Sequence, residues 1–154
     1  MDTSLKINTA LFKDNGGCGY VLKPEILRNP SLKFDPLKPD TMHNKQMFHI
    51  KIISAQNLPI DGKDISDPYV TISVLGVPSD NSEKKTKYVK DNGFNPVWNQ
   101  DFQFQINCPE LAFVKFVVKD EDVGLDDLLG YFFIKFDCIR KGYFIIINFL
   151  KYVL

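Results

Sequence analysis

Apolar residues that alternate with polar ones recur along most of this chain, and this pattern limits the folds that it can adopt. A period of two places every second side chain on the same face of a strand. Turn-forming glycine, proline and asparagine separate the alternating runs, and no long helical pattern lies between them. We therefore predict an all-β fold, an antiparallel β-sandwich of half-buried strands. The alternation occupies residues 48–52, 70–74, 102–106 and 114–118.

The first 45 residues differ from this framework. A glycine cluster at 15–20 is followed by four prolines between Pro24 and Pro39, and such residues mark turns and linkers. We predict one helical turn at 24–28, then an extended linker, with a boundary near Thr41. With 154 residues, 44% of them apolar, the chain is long enough for about one domain with a sizeable core.

Charge and cysteine usage exclude several classes of protein. Nineteen basic and nineteen acidic side chains give a formal net charge of zero, so no overall field favours nucleic acid. Three cysteines without CxxC spacing, no glycosylation sequon and no apolar leader run argue for reduced thiols in the cytoplasm. The longest apolar run, 143–149, is far shorter than the ~20 residues needed to span a bilayer.

An acidic segment at 120–127 carries five carboxylates in eight residues, directly after an alternating run. Like charges this close raise one another's pKa, so such a loop usually surrounds a cation. Two further aspartates, Asp61 and Asp67, precede another strand. If both loops open at the same end of the sandwich, their side chains converge. The expected convergent set is Asp61, Asp67, Asp120, Asp122 and one of Asp126 or Asp127.

Calcium is the ion that such loops favour. It takes six to eight oxygen ligands in flexible geometry, whereas magnesium requires a tighter octahedron and zinc favours histidine or cysteine. An EF-hand is excluded because, counting from Asp120, Gly124 and Tyr131 occupy loop positions five and twelve, where that motif requires ligand side chains. A solvated acidic turn that binds nothing remains the alternative for each loop taken alone.

Three motifs in a fixed order resemble the C2 domain, a calcium-dependent membrane-docking sandwich: 66–70 (SDPYV), 95–99 (NPVWN) and 120–122 (DED). The segment 15–24 (NGGCGYVLKP) is similar to the end of the catalytic TIM barrel of phosphoinositide-specific phospholipase C of the delta-like branch. The resemblance extends to about residue 143. It implies a barrel remnant at 1–29, a Pro-rich linker at 30–45 and a C2 domain at 46–154.

Carried over residue by residue, the resemblance implies a calcium site built from all three loops at one end of the domain. Asp127 is favoured over Asp126 as the ligand from the far side of the third loop. Asp61 fits the broader C2 pattern. The implied ligands are the side chains of Asp61, Asp67, Asp91, Asp120, Asp122 and Asp127 and the backbone oxygens of Ile65 and Glu121.

The resembling enzymes hydrolyse phosphatidylinositol 4,5-bisphosphate to diacylglycerol and inositol trisphosphate in intracellular signalling, using two histidines, calcium-binding acids and lysines of the barrel. This chain has only His43 and His49, and a barrel needs roughly 200 or more residues. We therefore expect a C-terminal part of a phosphoric diester hydrolase that holds no catalytic residues and is inactive alone. After Gly142 the family's last strand has no counterpart, so we expect a truncated sandwich with an unpaired apolar edge at 144–150.

The expected partners are an anionic phospholipid surface and the catalytic barrel of the parent enzyme, with the chain cytoplasmic and peripheral at membranes. Lys84, Lys85 and Lys87 are expected to contact lipid headgroups or, alternatively, to protect an edge strand. Val123 and Leu125 are expected to insert at a loop tip. A calcium-independent scaffold packed on the barrel remains the alternative function. Further expectations are a surface position for His49 and buried positions for Trp98, Cys108 and Cys138.

Overall fold

Two antiparallel sheets packed face to face form the body of the molecule. The structure, a computed structural model, describes residues 3–13, 15–38, 44–59 and 65–142. The strands are β1 Gln46–Ser54, β2 Pro68–Leu75, β3 Ser82–Lys85, β4 Val97–Ile106, β5 Phe113–Asp120 and β6 Leu128–Lys135. One sheet pairs β1 with β4, and the other has the order β3-β2-β5-β6, which confirms the predicted antiparallel β-sandwich.

The core lies between the sheets and is formed by the predicted alternating residues. Trp98 is buried in it, and its indole N–H donates to the Pro68 carbonyl at 3.0 Å. This bond satisfies the one polar atom of the ring, so the prediction of a core tryptophan is confirmed. His49 is exposed on β1, also as predicted. The buried residues of the core include Phe48, Val70, Ile72, Val74, Phe104, Ile106, Val114, Phe116 and Val118.

The central strand β2 departs from the expected half-buried pattern, because it is buried on both faces from Pro68 to Val74. Its outward residues are covered by side chains of the neighbouring strand β3. Ser73 donates to the Glu83 carboxylate at 2.6 Å, and the Lys85 ammonium lies 5.1 Å from the centre of the Tyr69 ring. Polar and aromatic residues on the outer face of this strand are therefore enclosed rather than solvated.

Two helices precede the sandwich. The shorter, α2 at Glu25–Arg28, confirms the predicted helical turn, although Pro24 caps the helix instead of opening it. The longer, α1 at Thr3–Lys13, was not predicted. It packs against β6, with Ala10 buried and the Lys6 ammonium 3.0 Å from the centre of the Tyr131 ring. A helix of 11 residues is marginal on its own and depends on such tertiary packing, which a sequence pattern does not show.

At the end of the sandwich remote from the acidic loops, the segment before β1 packs onto the domain. Ile26 of α2 and Phe34 contact a small apolar cluster that contains Val77, Cys108 and Leu111. Burial raises the pKa of the Cys108 thiol, and its predicted buried position is confirmed. The same prediction for Cys138 is wrong. It is exposed in the turn after β6, since its neighbours Phe136 and Ile139 take the inward positions.

The two-stranded sheet is relevant to the expectation that the last strand of the sandwich is missing. Among the described residues β1 pairs with β4 alone. A cavity of about 820 Å³ lies beside β1, lined by residues that include Phe48, Trp98, Phe116 and Gly142. The apolar run expected to leave an unpaired edge, 144–150, lies outside the described residues, so the missing last strand stays a prediction.

Candidate functional site

Three loops meet at one end of the sandwich: the first follows β1, the second follows β3 and the third joins β5 to β6. Asp67 holds the first loop against the third. Its backbone N–H donates to Oδ1 of Asp120 at 2.6 Å, and its carbonyl accepts from the Glu121 N–H at 3.2 Å. The two acidic segments that are separate in sequence are therefore in contact.

The second loop is fixed to the same residue. The Asp91 N–H donates to Oδ1 of Asp67 at 2.7 Å, and the Asn92 N–H donates to the Ser66 carbonyl at 3.1 Å. Asp91 has φ +50°, a left-handed conformation that Asp tolerates better than most residues. Gly93 approaches Ser66 closely, since a Cβ there would lie 3.2 Å from the Ser66 Cβ. All three loops are thus joined at Ser66 and Asp67.

The third loop is closed at its base and crowded with carboxylates. The Asp120 N–H donates to the Asp127 carbonyl at 2.9 Å, and Gly124, with φ +128°, forms the turn at the tip. Loss of hydration and then the nearby charges of Asp120 and Asp127 raise the pKa of Asp122. A raised pKa is the effect that the sequence analysis expects for carboxylates that lie close together without a cation.

Both oxygens of Asp126 accept hydrogen bonds, one from β2 and one from the backbone of its own loop. Its Oδ2 accepts from the Tyr69 hydroxyl at 2.6 Å, and its Oδ1 accepts from the Asp122 N–H at 3.4 Å. The hydrogen bond from Tyr69 lowers the pKa of Asp126. Burial, followed by the same bond, raises the pKa of Tyr69. Asp126 is therefore held as an ionised acceptor on the β2 side of the loop.

The carboxylate and carbonyl oxygens of these loops are ligands of the type that calcium binds. In the part of the chain that the structure describes, however, the side chains are not gathered around one point. There, no three acidic, histidine or cysteine side chains are grouped so that they could hold a metal ion. Asp67 and Asp120 each direct an oxygen at a backbone N–H, and Asp126 is bonded to Tyr69. Asp61 lies outside the described residues. Oxygen donors from three joined loops remain the type of ligand that calcium takes.

The predicted basic residues lie along the outer edge of the four-stranded sheet, because β3 is its edge strand. The Lys84 ammonium donates to the Gln103 carbonyl of β4 at 2.7 Å and so ties the two sheets together. Lys85 lies over the Tyr69 ring, and Lys87 is exposed beyond the strand. Both an edge-protecting and a lipid-binding role are compatible with these positions.

Exposed apolar side chains stand on all three loops. Val123 is fully exposed and Leu125 is 90% exposed at the tip of the third loop. Ile65 is exposed on the first loop. The sequence analysis missed Phe94, which is 71% exposed on the second loop and whose carbonyl accepts from the Asn57 N–H at 2.7 Å. An aromatic residue between the turn formers Gly93 and Asn95 is the signal that marks it.

Comparisons with known proteins agree with this fold. A family model described as C2 domain matches residues 46–145. "Inactive phospholipase C-like protein 2" of mouse is 42% identical over 146 residues, covering 90% of this chain and 13% of that protein. Bovine "1-phosphatidylinositol 4,5-bisphosphate phosphodiesterase delta-4" is 42% identical over 138 residues, covering 86% and 17%. The chain thus spans less than a fifth of the length of these relatives.

Solved structures show the same fold. A human GIVD cytosolic phospholipase A2 has 28% identity and a TM-score of 0.54, over 64% of this chain and 14% of that one. A C2-type domain of a plant extended synaptotagmin 1 has 29% identity and a TM-score of 0.53, over 60% and 70%. Within the described part of the chain, no helix is long and apolar enough to cross a membrane.

Proposed function

Since the chain belongs to the C2 domain family, we propose that it is a calcium-dependent phospholipid-binding module. The observation that carries the proposal is the junction at Asp67 of three loops, two of them acidic and the other carrying Asp91, with exposed apolar residues on each of them. A bound calcium ion would neutralise the carboxylates and attract lipid phosphate. The residues that would hold it are Asp61, Asp67, Asp91, Asp120, Asp122 and Asp127, with the carbonyls of Ile65 and Glu121.

The residues around the acidic loops supply the remaining contacts with a bilayer. Phe94, Val123 and Leu125 present apolar surface at the same end of the domain, and each side chain contributes roughly 1.5–3 kcal/mol when fully buried. Lys84, Lys85 and Lys87 lie on the adjoining edge, where a lysine near an anionic surface contributes about 1 kcal/mol. The proposed location is therefore cytoplasmic and peripheral at membranes.

Sedimentation with vesicles tests the proposal. We expect this chain to bind phosphatidylserine-containing vesicles in calcium and to be released by chelator or by high salt, because surface charges are screened beyond about 8–10 Å at physiological ionic strength. A Phe94→Ala variant should bind less at saturating calcium, whereas Tyr20→Ala, an exposed aromatic residue remote from the loops in sequence, is the matched control. Equal binding in calcium and in chelator would rule out the calcium-dependent module.

A calcium-independent scaffold is the second candidate function. One observation favours it: the upstream residues Ile26 and Phe34 already pack against the sandwich. In this role the domain would position a catalytic barrel that precedes it in a longer protein. The vesicle experiment separates the two roles, since a scaffold needs neither calcium nor lipid.

We further propose that the chain corresponds to the C-terminal part of a phosphoinositide phospholipase C and is inactive by itself. Its two histidines are His43, outside the described residues, and His49, exposed on an outer strand. Incubation with phosphatidylinositol 4,5-bisphosphate and calcium should release no inositol trisphosphate above the buffer control. Turnover that scales with the concentration of the chain would contradict this.

A further inference from the structure

The contact between Tyr69 and Asp126 lies outside the proposed ligand set but bears directly on it. Tyr69 is 5% exposed at the start of β2, and its hydroxyl donates to Oδ2 of Asp126 at 2.6 Å. Asp126 belongs to the third loop, 57 residues away in sequence. A buried strand residue therefore anchors the far part of a loop whose base is closed by the backbone bond between Asp120 and Asp127 and held to the first loop by the bond from the Glu121 N–H to the Asp67 carbonyl.

The second oxygen of Asp126 extends this anchor into the loop. Its Oδ1 accepts from the Asp122 N–H at 3.4 Å, so one carboxylate joins β2 to the backbone of a proposed ligand. The Lys85 ammonium lies 5.1 Å from the centre of the Tyr69 ring, and Lys119 is the cross-strand partner of Tyr69. Asp126 thus has a hydroxyl donor, and the positive charges of Lys119 and Lys85 also act on it.

We propose that Tyr69 is a positioning residue of the calcium site: it holds Asp126 away from the ion and sets the course of the loop that carries Asp122 and Asp127. The inference rests on the proposed function, and it assigns the ligand on the far side of the loop to Asp127. Partners of this kind, which orient ligands without touching the metal, typically change metal affinity by about 10–100-fold when they are lost.

Calorimetric calcium titrations of the full chain test the assignment of ligands. Asp127→Asn should weaken calcium binding by at least about tenfold, since affinity depends on the charge of the ligand set. Asp126→Asn retains an oxygen for the Tyr69 hydroxyl and should change the affinity by less than about threefold, because it alters no ligand. An Asp126→Asn effect as large as that of Asp127→Asn would overturn the proposal.

Tyr69→Phe tests the positioning role itself, because it keeps the ring beneath Lys85 and removes only the donor. We expect calcium affinity to fall about tenfold and the amides of 121–127 to exchange faster in calcium-free protein, with β2 and β5 unchanged. Tyr88→Phe, an exposed tyrosine of the second loop, is the matched control and should change neither quantity.

The exchange measurement needs no calcium, so it separates two kinds of failure. If the wild-type chain binds no calcium, the proposed function fails, while faster exchange in Tyr69→Phe still supports the anchor. Unchanged exchange of the third loop in Tyr69→Phe would overturn the anchor whether or not calcium binds.

Discussion

Replacing Asp67 or Asp120 by asparagine should weaken calcium binding by at least about tenfold, because each substitution removes one negative charge from a site whose affinity depends on ligand charge. Asparagine retains Oδ1, which in Asp120 accepts from the Asp67 N–H and in Asp67 accepts from the Asp91 N–H. The bonds that join the loops are thus preserved while the charge is lost. Calorimetric titration of calcium into the purified chain measures the effect.

Asp101→Asn is the matched control for charge. Asp101 is exposed on β4 and pairs with Lys51 at 3.7 Å, on the two-stranded sheet rather than in the loops. This substitution removes the same charge and should leave calcium affinity unchanged. If Asp67→Asn and Asp120→Asn also leave it unchanged, the model of a site shared by the first and third loops is wrong.

Replacing Asp80 by alanine should destabilise the domain by roughly 3–5 kcal/mol, because three buried donors then lose their acceptor. The Asp80 side chain is 1% exposed. It accepts from the Asn107 N–H at 2.7 Å, from the Asn107 amide at 2.8 Å and from the Cys108 N–H at 2.9 Å. These bonds tie the turn after β2 to the end of β4, at the pole opposite the acidic loops.

Urea unfolding followed through the fluorescence of Trp98 measures this loss of stability. Asp137→Ala is the matched control, since Asp137 forms an exposed ion pair with Lys135 at 2.9 Å, and such pairs contribute about 0–1 kcal/mol. A loss in Asp80→Ala no larger than in this control would mean that the buried bonds contribute little net stability. The variant should also loosen the packing of Phe34 against the cluster that contains Val77 and Cys108.

Much of the fold could be predicted because its signals are local. The alternation at 70–74 and 114–118 identified β2 and β5, and those runs lie within Pro68–Leu75 and Phe113–Asp120. The helix α1 was not predicted, because a helix of 11 residues is marginal alone and depends on its packing against β6, which lies more than 100 residues away in sequence. The exposure of Cys138 depended in the same way on which neighbours face the core.

The amino-acid sequence by itself determined that the chain is a β-sandwich with acidic turns after particular strands, because strand period and turn chemistry are properties of neighbouring residues. Only the tertiary structure decided that Asp67 joins all three loops and that Asp126 is bonded to Tyr69. It likewise decided that Phe94 is exposed on the loop beside Asn57. These relations join residues tens of positions apart, and hydrogen-bond distances between them are set by sheet register and loop packing, which no local pattern encodes.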